Sequence, residues 1–176
     1  MSRAAVDQLL YLMDQAFDGE GHEHSLLANL RSVPDEAWGW IPPAGRRSIS
    51  AIVGHVTACK WMYDNHAFGD AKKGWSDPVP VEIEISIDGT QLSDAELPKE
   101  FLLEWLEGGQ AQLRKSVAAL SDKDLKRPRR TNWGEMKETR WIIVVMIEHD
   151  LYHAGEINHI RSLFEGEDGW AWEAGE

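Results

Sequence analysis

Apolar residues recur every three and four positions in four stretches of the chain, the spacing of a helix with one buried face. In the first, Val6, Leu9, Leu10, Met13 and Phe17 form one stripe. It breaks at Asp18-Gly19-Glu20-Gly21 and resumes through Leu26, Leu27 and Leu30, which predicts a kinked or two-piece helix. The second stretch runs from about Ser48 to His66, with Ser48 or Ser50 as N-cap and Gly69 as the stop. Its inner face is Ile52, Val53, Val56, Cys59, Met62 and Tyr63. The third opens either at the capping-box pattern Ser93-Asp94-Ala95-Glu96 or at Pro98. It continues through Leu102, Leu106, Gly109, Leu113, Val117 and Leu120. The fourth spans about Thr139 to Glu165, carries Ile142, Val145, His149, His153, Glu156, Ile160 and Leu163 on one stripe, and ends at Gly166.

The connections differ in kind. Residues 31–47 hold Pro34, Trp38, Trp40, Pro42 and Pro43, a stiff loop with large aromatic anchors. Within 69–92, Val79, Val81, Ile83, Ile85 and Ile87 alternate with polar residues or Pro80, a strand-like period with no second strand to pair with. A connection of that length can cross a bundle end to end and leave the second and third helices parallel. Residues 121–138 carry Lys123, Lys126, Arg127, Arg129 and Arg130 around Pro128. The pattern predicts an all-α fold, a four-helix bundle forming one domain over residues 1–176.

Composition narrows the function classes. With 43% hydrophobic and 27% charged residues, the chain can build a core and disorder is not expected. Eighteen Lys and Arg against thirty Asp and Glu give a net charge of −12, which opposes binding to nucleic acid or anionic membranes. Cys59 is the only cysteine, so neither an internal disulfide nor a cysteine-based zinc finger can form. The N-terminal residues lack a signal-peptide pattern, and no apolar run approaches the roughly 20 residues of a membrane span. A soluble, cytoplasmic protein is expected.

The fourth helix holds the anomaly. His149 and His153 lie four residues apart, about 40° around the axis and one turn along it. Both share the stripe of Ile142, Val145 and Ile160. A buried imidazole left unpaired costs roughly 1–3 kcal/mol. Two on one face fit either a hydrogen-bonded core network or one shared metal ion, and spacing alone leaves both open. His55 lies on the inward stripe of the second helix and supplies a third ring, whereas His159 is turned roughly 120° from the other two by helical arithmetic. Three neutral imidazoles keep the full charge of zinc, nickel or a similar ion and leave a coordination position open.

His55 in a helix entered through Ser48-Ile49, followed by His149-x-x-x-His153-Ala154-Gly155-Glu156-Ile157, resembles the DinB/YfiT-like superfamily of metalloenzymes. The Trp38-x-Trp40-x-Pro42-Pro43 approach is similar to the Trp-x-Pro segment common there. The resemblance covers nearly the whole chain, and its most specific part is the His-x-x-x-His-x-Gly-(Gln or Glu)-Ile motif. It implies a four-helix bundle in up-down-down-up order with a divalent metal held by His55, His149 and His153. It also implies kinship with thiol-dependent transferases and isomerases that use a low-molecular-weight thiol as cosubstrate, in a superfamily where homodimers are common. A small-molecule substrate is the partner expected on this reading. The alternative is a non-catalytic, stress-related or ligand-binding bundle with a structural metal or none.

Other residues carry two readings each. Cys59, four residues after His55, is either a thiolate ligand that closes the site or a small buried hydrophobe. Glu156 follows His153 on the same face and is the candidate catalytic residue, as a base or by orienting a ligand histidine. Asp150 and Asn158 are weaker supporting candidates, and Glu148 is expected in solvent. Trp38, Trp40, Trp61 and Trp75 either line a pocket or pack the core. The stretch Lys123 to Arg130 either docks an anionic cosubstrate or is simply solvated.

Overall fold

A computed structural model describes residues 2–19, 25–72 and 98–167. Its long helices are α1 (Ala4–Asp18), α4 (Ile49–Phe68), α5 (Lys99–Ala118) and α6 (Thr139–Glu165), with the short helices α2 (Leu26–Arg31) and α3 (Asp35–Trp38) between the first two. α1 and α2 are the two pieces of the interrupted first stripe. The Ser48 hydroxyl accepts a hydrogen bond from the Ala51 amide at 3.2 Å and starts α4. At the other end the Gly69 amide bonds the Asn65 carbonyl at 3.0 Å. Pro98 is the residue before α5. Gly166 ends α6 at φ 74°, a left-handed conformation that favours glycine.

Side-chain pairs give the helix directions. Lys60 meets Gln110 and Asp64 meets Gln112, so α4 and α5 run parallel. Arg3, at the start of α1, donates to the carbonyls of Ala118 and Leu120, each at 2.8 Å, so α1 opposes α5. His55 faces His149 and His153, while Tyr63 and Ala67 share an apolar cluster with Ile142 and Ile143, so α4 opposes α6. The order is up-down-down-up. Close approach of α4 and α5 depends on Gly109, where a Cβ would stand 3.0 Å from Trp61 Nε1.

Two apolar clusters fill the bundle. One gathers Phe17, Leu26, Leu30, Ile52, Val56, Leu106, Ala154 and Ile157; the other gathers Val6, Leu10, Met13, Tyr63, Leu113, Val117, Ile142 and Met146. Each fully buried aliphatic side chain contributes about 1.5–3 kcal/mol. Lys60, Gln110 and Asp150 fall between the clusters in all three helix sequences and form a buried polar layer.

The observed faces depart from the expected ones in α6. Its buried face runs through Ile143, Met146, Asp150, His153, Ala154 and Ile157, and Leu163 is exposed. Val145 and His149 therefore lie at the margin of the core, Val145 packed against the second apolar cluster and His149 bordering a cleft. The 121–138 connection also has more order than a solvated loop. A 3-10 turn (Asp122–Lys126) is closed by the Asp124 carboxylate, which accepts from the Ser121 amide and hydroxyl at 2.9 and 2.7 Å. A hairpin of β1 (Pro128–Arg130) and β2 (Met136–Glu138) follows, with Arg129 opposite Lys137. The alternating segment 79–87, the capping box at 93–96 and Trp75 lie outside the described residues.

Candidate metal centre

The second turn of α4 carries His55, and successive turns of α6 carry His149 and His153. Because α4 and α6 are antiparallel neighbours, the three rings meet. His149 Nε2 lies 3.2 Å from His55 Nε2 and 3.2 Å from His153 Nε2. On the far side of its ring, His153 Nδ1 lies 2.8 Å from Glu156 Oε2. A carboxylate accepts, so Nδ1 carries the proton and the Nε2 lone pair points at the other two rings. A tetrahedral ion with metal–nitrogen bonds of about 2.0–2.1 Å would hold its ligands roughly 3.3 Å apart. The two separations from His149 Nε2 match that edge. A single proton on His149 Nε2 can serve only one of its two neighbours, so hydrogen bonding alone satisfies the cluster poorly. His149 Nδ1 is buried without a hydrogen-bond partner among the described residues.

Burial and nearby charges keep His55 and His149 neutral. Burial, then the neighbouring His153 and Arg47, push the His55 pKa down to about 4. Burial, followed by His153, His55, Lys60 and Arg47, pushes that of His149 down to about 2. Neutral imidazole is the form that binds metal. For Glu156, burial is the largest single influence and opposes ionisation. The His153 hydrogen bond and the charge of Arg47 together outweigh it and leave the carboxyl below its ordinary pKa. Arg47 holds the other carboxylate oxygen, Oε1, at 2.7 Å.

Beneath the rings lie Cys59 and the polar layer. Cys59 Sγ is 3.7 Å from His55 Nε2. Together, His55, Cys59 and His149 offer ligand atoms within 4.8 Å of one another, a group able to hold a metal ion. Burial pushes the Cys59 thiol up to about 12, so without a cation it keeps its proton. Lys60 Nζ lies 2.7 Å from both oxygens of Asp150 and 2.8 Å from Gln110 Oε1, with Lys60 and Asp150 each 1% exposed. Asp150 thus belongs to a structural ion pair.

Above the rings a cleft of about 800 Å³ opens to solvent. His55, His149 and His153 form its floor, and Arg46, Arg47, Tyr152, Glu156 and His159 stand on its walls beside Pro42, Ile160 and Leu163. The structure thus brings together the three histidines and Glu156. His159 stays out of the cluster but lines the same cleft. The aromatic wall is absent among the described tryptophans: Trp38 is buried in the core, Trp40 stacks edge-on against Phe164, and Trp61 packs on Gly109. Nor does the basic stretch reach the cleft. Arg129 donates to the Ala67 carbonyl and to Thr139, at the opposite end of α4. Arg46 and Arg47 were not singled out from sequence, although two adjacent arginines directly before a helix that carries a candidate ligand were a legible signal. Lys60 was missed because its partner lies 90 residues away on another helix.

The DinB superfamily model matches residues 19–157, most of the chain, and the protein belongs to that superfamily. No curated protein matches it.

Proposed function

We propose that this chain is a metal-dependent enzyme in which His55, His149 and His153 hold one divalent ion, zinc or nickel, with a vacancy facing the cleft. The observation that carries the reading is that His149 Nε2 stands 3.2 Å from the Nε2 of both His55 and His153 at the floor of an open cleft. When bound, such an ion lowers the pKa of a thiol or water and supplies a nucleophile at neutral pH. The reaction is S-transfer or thiol-assisted isomerisation of a small electrophile with a low-molecular-weight thiol as cosubstrate. In the transfer, a carbon–sulfur bond forms, the electrophile's leaving group departs with the bonding pair, and the thiol proton passes to water.

The chain's own groups hold and orient. Glu156 fixes the proton on His153 Nδ1 and so directs the opposite nitrogen inward. Arg47 holds Glu156 ionised and in place. Glu156 is thereby a positioning residue, because both of its oxygens are already engaged. Metal analysis of protein purified without chelator tests the site: about one ion per chain is expected, and none in His149→Ala. A full complement retained by that variant would exclude the site as drawn.

Cys59 supports a second reading, in which its sulfur completes the coordination and the metal is structural. Cobalt-substituted protein separates the two. An intense sulfur-to-cobalt band present before any thiol is added, and lost in Cys59→Ala, favours the closed site. A band that appears only on adding a thiol favours the open one.

A further inference from the structure

The cleft above the histidines has a charge opposite to that of the molecule around it. Among the described residues, two guanidiniums, Arg46 and Arg47, and one carboxylate, Glu156, line it, in a chain whose net charge is −12. Glu156 is fully engaged, with Oε1 on Arg47 and Oε2 on His153. Arg46 differs from its neighbour. It is exposed, lines the cleft, and has no hydrogen bond or ion pair among the described residues. The chain presents it on the Pro42-Pro43-Ala44-Gly45 segment, where the Gly45 amide closes a tight turn on the Pro42 carbonyl at 2.8 Å. The arginine therefore starts from a defined backbone.

We infer that the cleft takes a small amphipathic carboxylate, with Arg46 docking the carboxylate while the apolar body lies on Ile160, Leu163 and Pro42. A planar guanidinium matches a carboxylate with two parallel hydrogen bonds. The volume of about 800 Å³ is that of a small-molecule site. The summed acidity of the remaining surface repels anions, so the local pair of arginines gives the cleft its selectivity. This rests on the cleft being the substrate site of the proposed function. The carboxylate can sit on the thiol or on the electrophile, and both share the chemistry that Arg46 recognises.

Matched probes that differ only in charge test it on metal-loaded protein. Calorimetry compares 4-phenylbutyrate with 4-phenylbutyramide for the electrophile side. Cobalt-protein absorbance compares 3-mercaptopropionate with 3-mercaptopropionamide for the thiol side. At least one pair is expected to favour the carboxylate by about fivefold to tenfold, with the preference falling below about twofold in Arg46→Gln and the amide unchanged. Which pair responds identifies the partner that carries the group. No preference in either pair, no binding of any probe, or a preference that survives Arg46→Gln overturns the inference. Metal content, measured on the same samples, reports separately on the histidine site. Protein that takes up no metal yet still shows an Arg46-dependent preference would retain the inference and reject the metal reading.

Discussion

His149 and Asp150 are adjacent on α6, and Cys59 and Lys60 are adjacent on α4, yet the two pairs of positions build opposite kinds of polar interior. Lys60 and Asp150 are sealed at 1% exposure and pair at 2.7 Å, with Gln110 Oε1 accepting a further hydrogen bond from the ammonium, while Asp150 Oδ1 and Gln110 Nε2 make none among the described residues. Burial raises the Asp150 pKa, and the ammonium beside it offsets only part of that rise. One residue along, His149 Nε2 stands 3.2 Å from the Nε2 of both His55 and His153, and a single proton on it can serve only one of them. A pair so fully buried offers nothing to a ligand arriving from solvent. The imidazoles, in contrast, lie at the floor of an open cleft, where a ligand can reach them. The difference separates a sealed polar layer from an accessible one within a single helix turn.

The largest expected effect breaks the closed member of the comparison. Asp150→Ala leaves Lys60 buried without its partner and should cost about 3–5 kcal/mol in denaturant unfolding of the metal-free protein. Replacing the pair together, Lys60→Met with Asp150→Leu, should recover most of that loss, because an apolar pair of similar volume avoids desolvating two charges. A double variant as unstable as Asp150→Ala would mean that the layer contributes something that apolar packing cannot replace.

How far each region could be read from sequence follows the same division. The four long helices, the Ser48 cap and the break after Asp18 were legible because helical period and cap chemistry are local. The histidines stood out because imidazoles are anomalous on an apolar stripe. The Lys60–Asp150 pair left no such mark. A lysine inside an apolar helix face is interpretable only once the opposing acid is known, and the two are 90 residues apart. The β1–β2 hairpin was hidden for another reason. Its strands are three residues each, too short to show alternation, and its turn depends on Gly134 at φ 94°. Of the two readings open for the described tryptophans, the structure shows packing: Trp38 fills the core beside α4, and the described cleft wall is arginine, tyrosine and aliphatic residues.

Acidification sharpens the contrast from the side of the open cluster. The folded-state pKa values of His55 and His149 lie near 4 and 2, below the ordinary 6.5. Between pH 6.5 and 4 the unfolded chain therefore binds more protons than the folded one, and stability falls as pH falls through that window. The expected loss attributable to His55 is on the order of 2 kcal/mol, reduced from the full shift because the ring is partly solvated. Urea unfolding of metal-free wild type and His55→Asn at several pH values isolates it. The difference between the two profiles should be flat above pH 6.5 and slope below it. A slope above pH 7 would reverse the assignment, since it would require an imidazole held charged in the fold.

The smallest effect separates positioning from packing. Glu156→Gln keeps the shape and an oxygen that can accept from His153 Nδ1, but removes the charge that Arg47 pairs with. The Arg47–Glu156 pair is about a quarter exposed, so its loss should change the stability of metal-free protein by less than about 1 kcal/mol. Metal affinity should fall by about 10- to 100-fold, because a neutral amide orients the ring less firmly and makes its inner nitrogen less basic. Competition with a chromogenic chelator measures the affinity, and unfolding with and without metal measures the stability. If Glu156 were only a packing contact, both forms of the protein would lose the same stability and the affinity would stay where it was. Unequal losses, with the metal-bound form suffering more, are what a carboxylate acting through His153 requires.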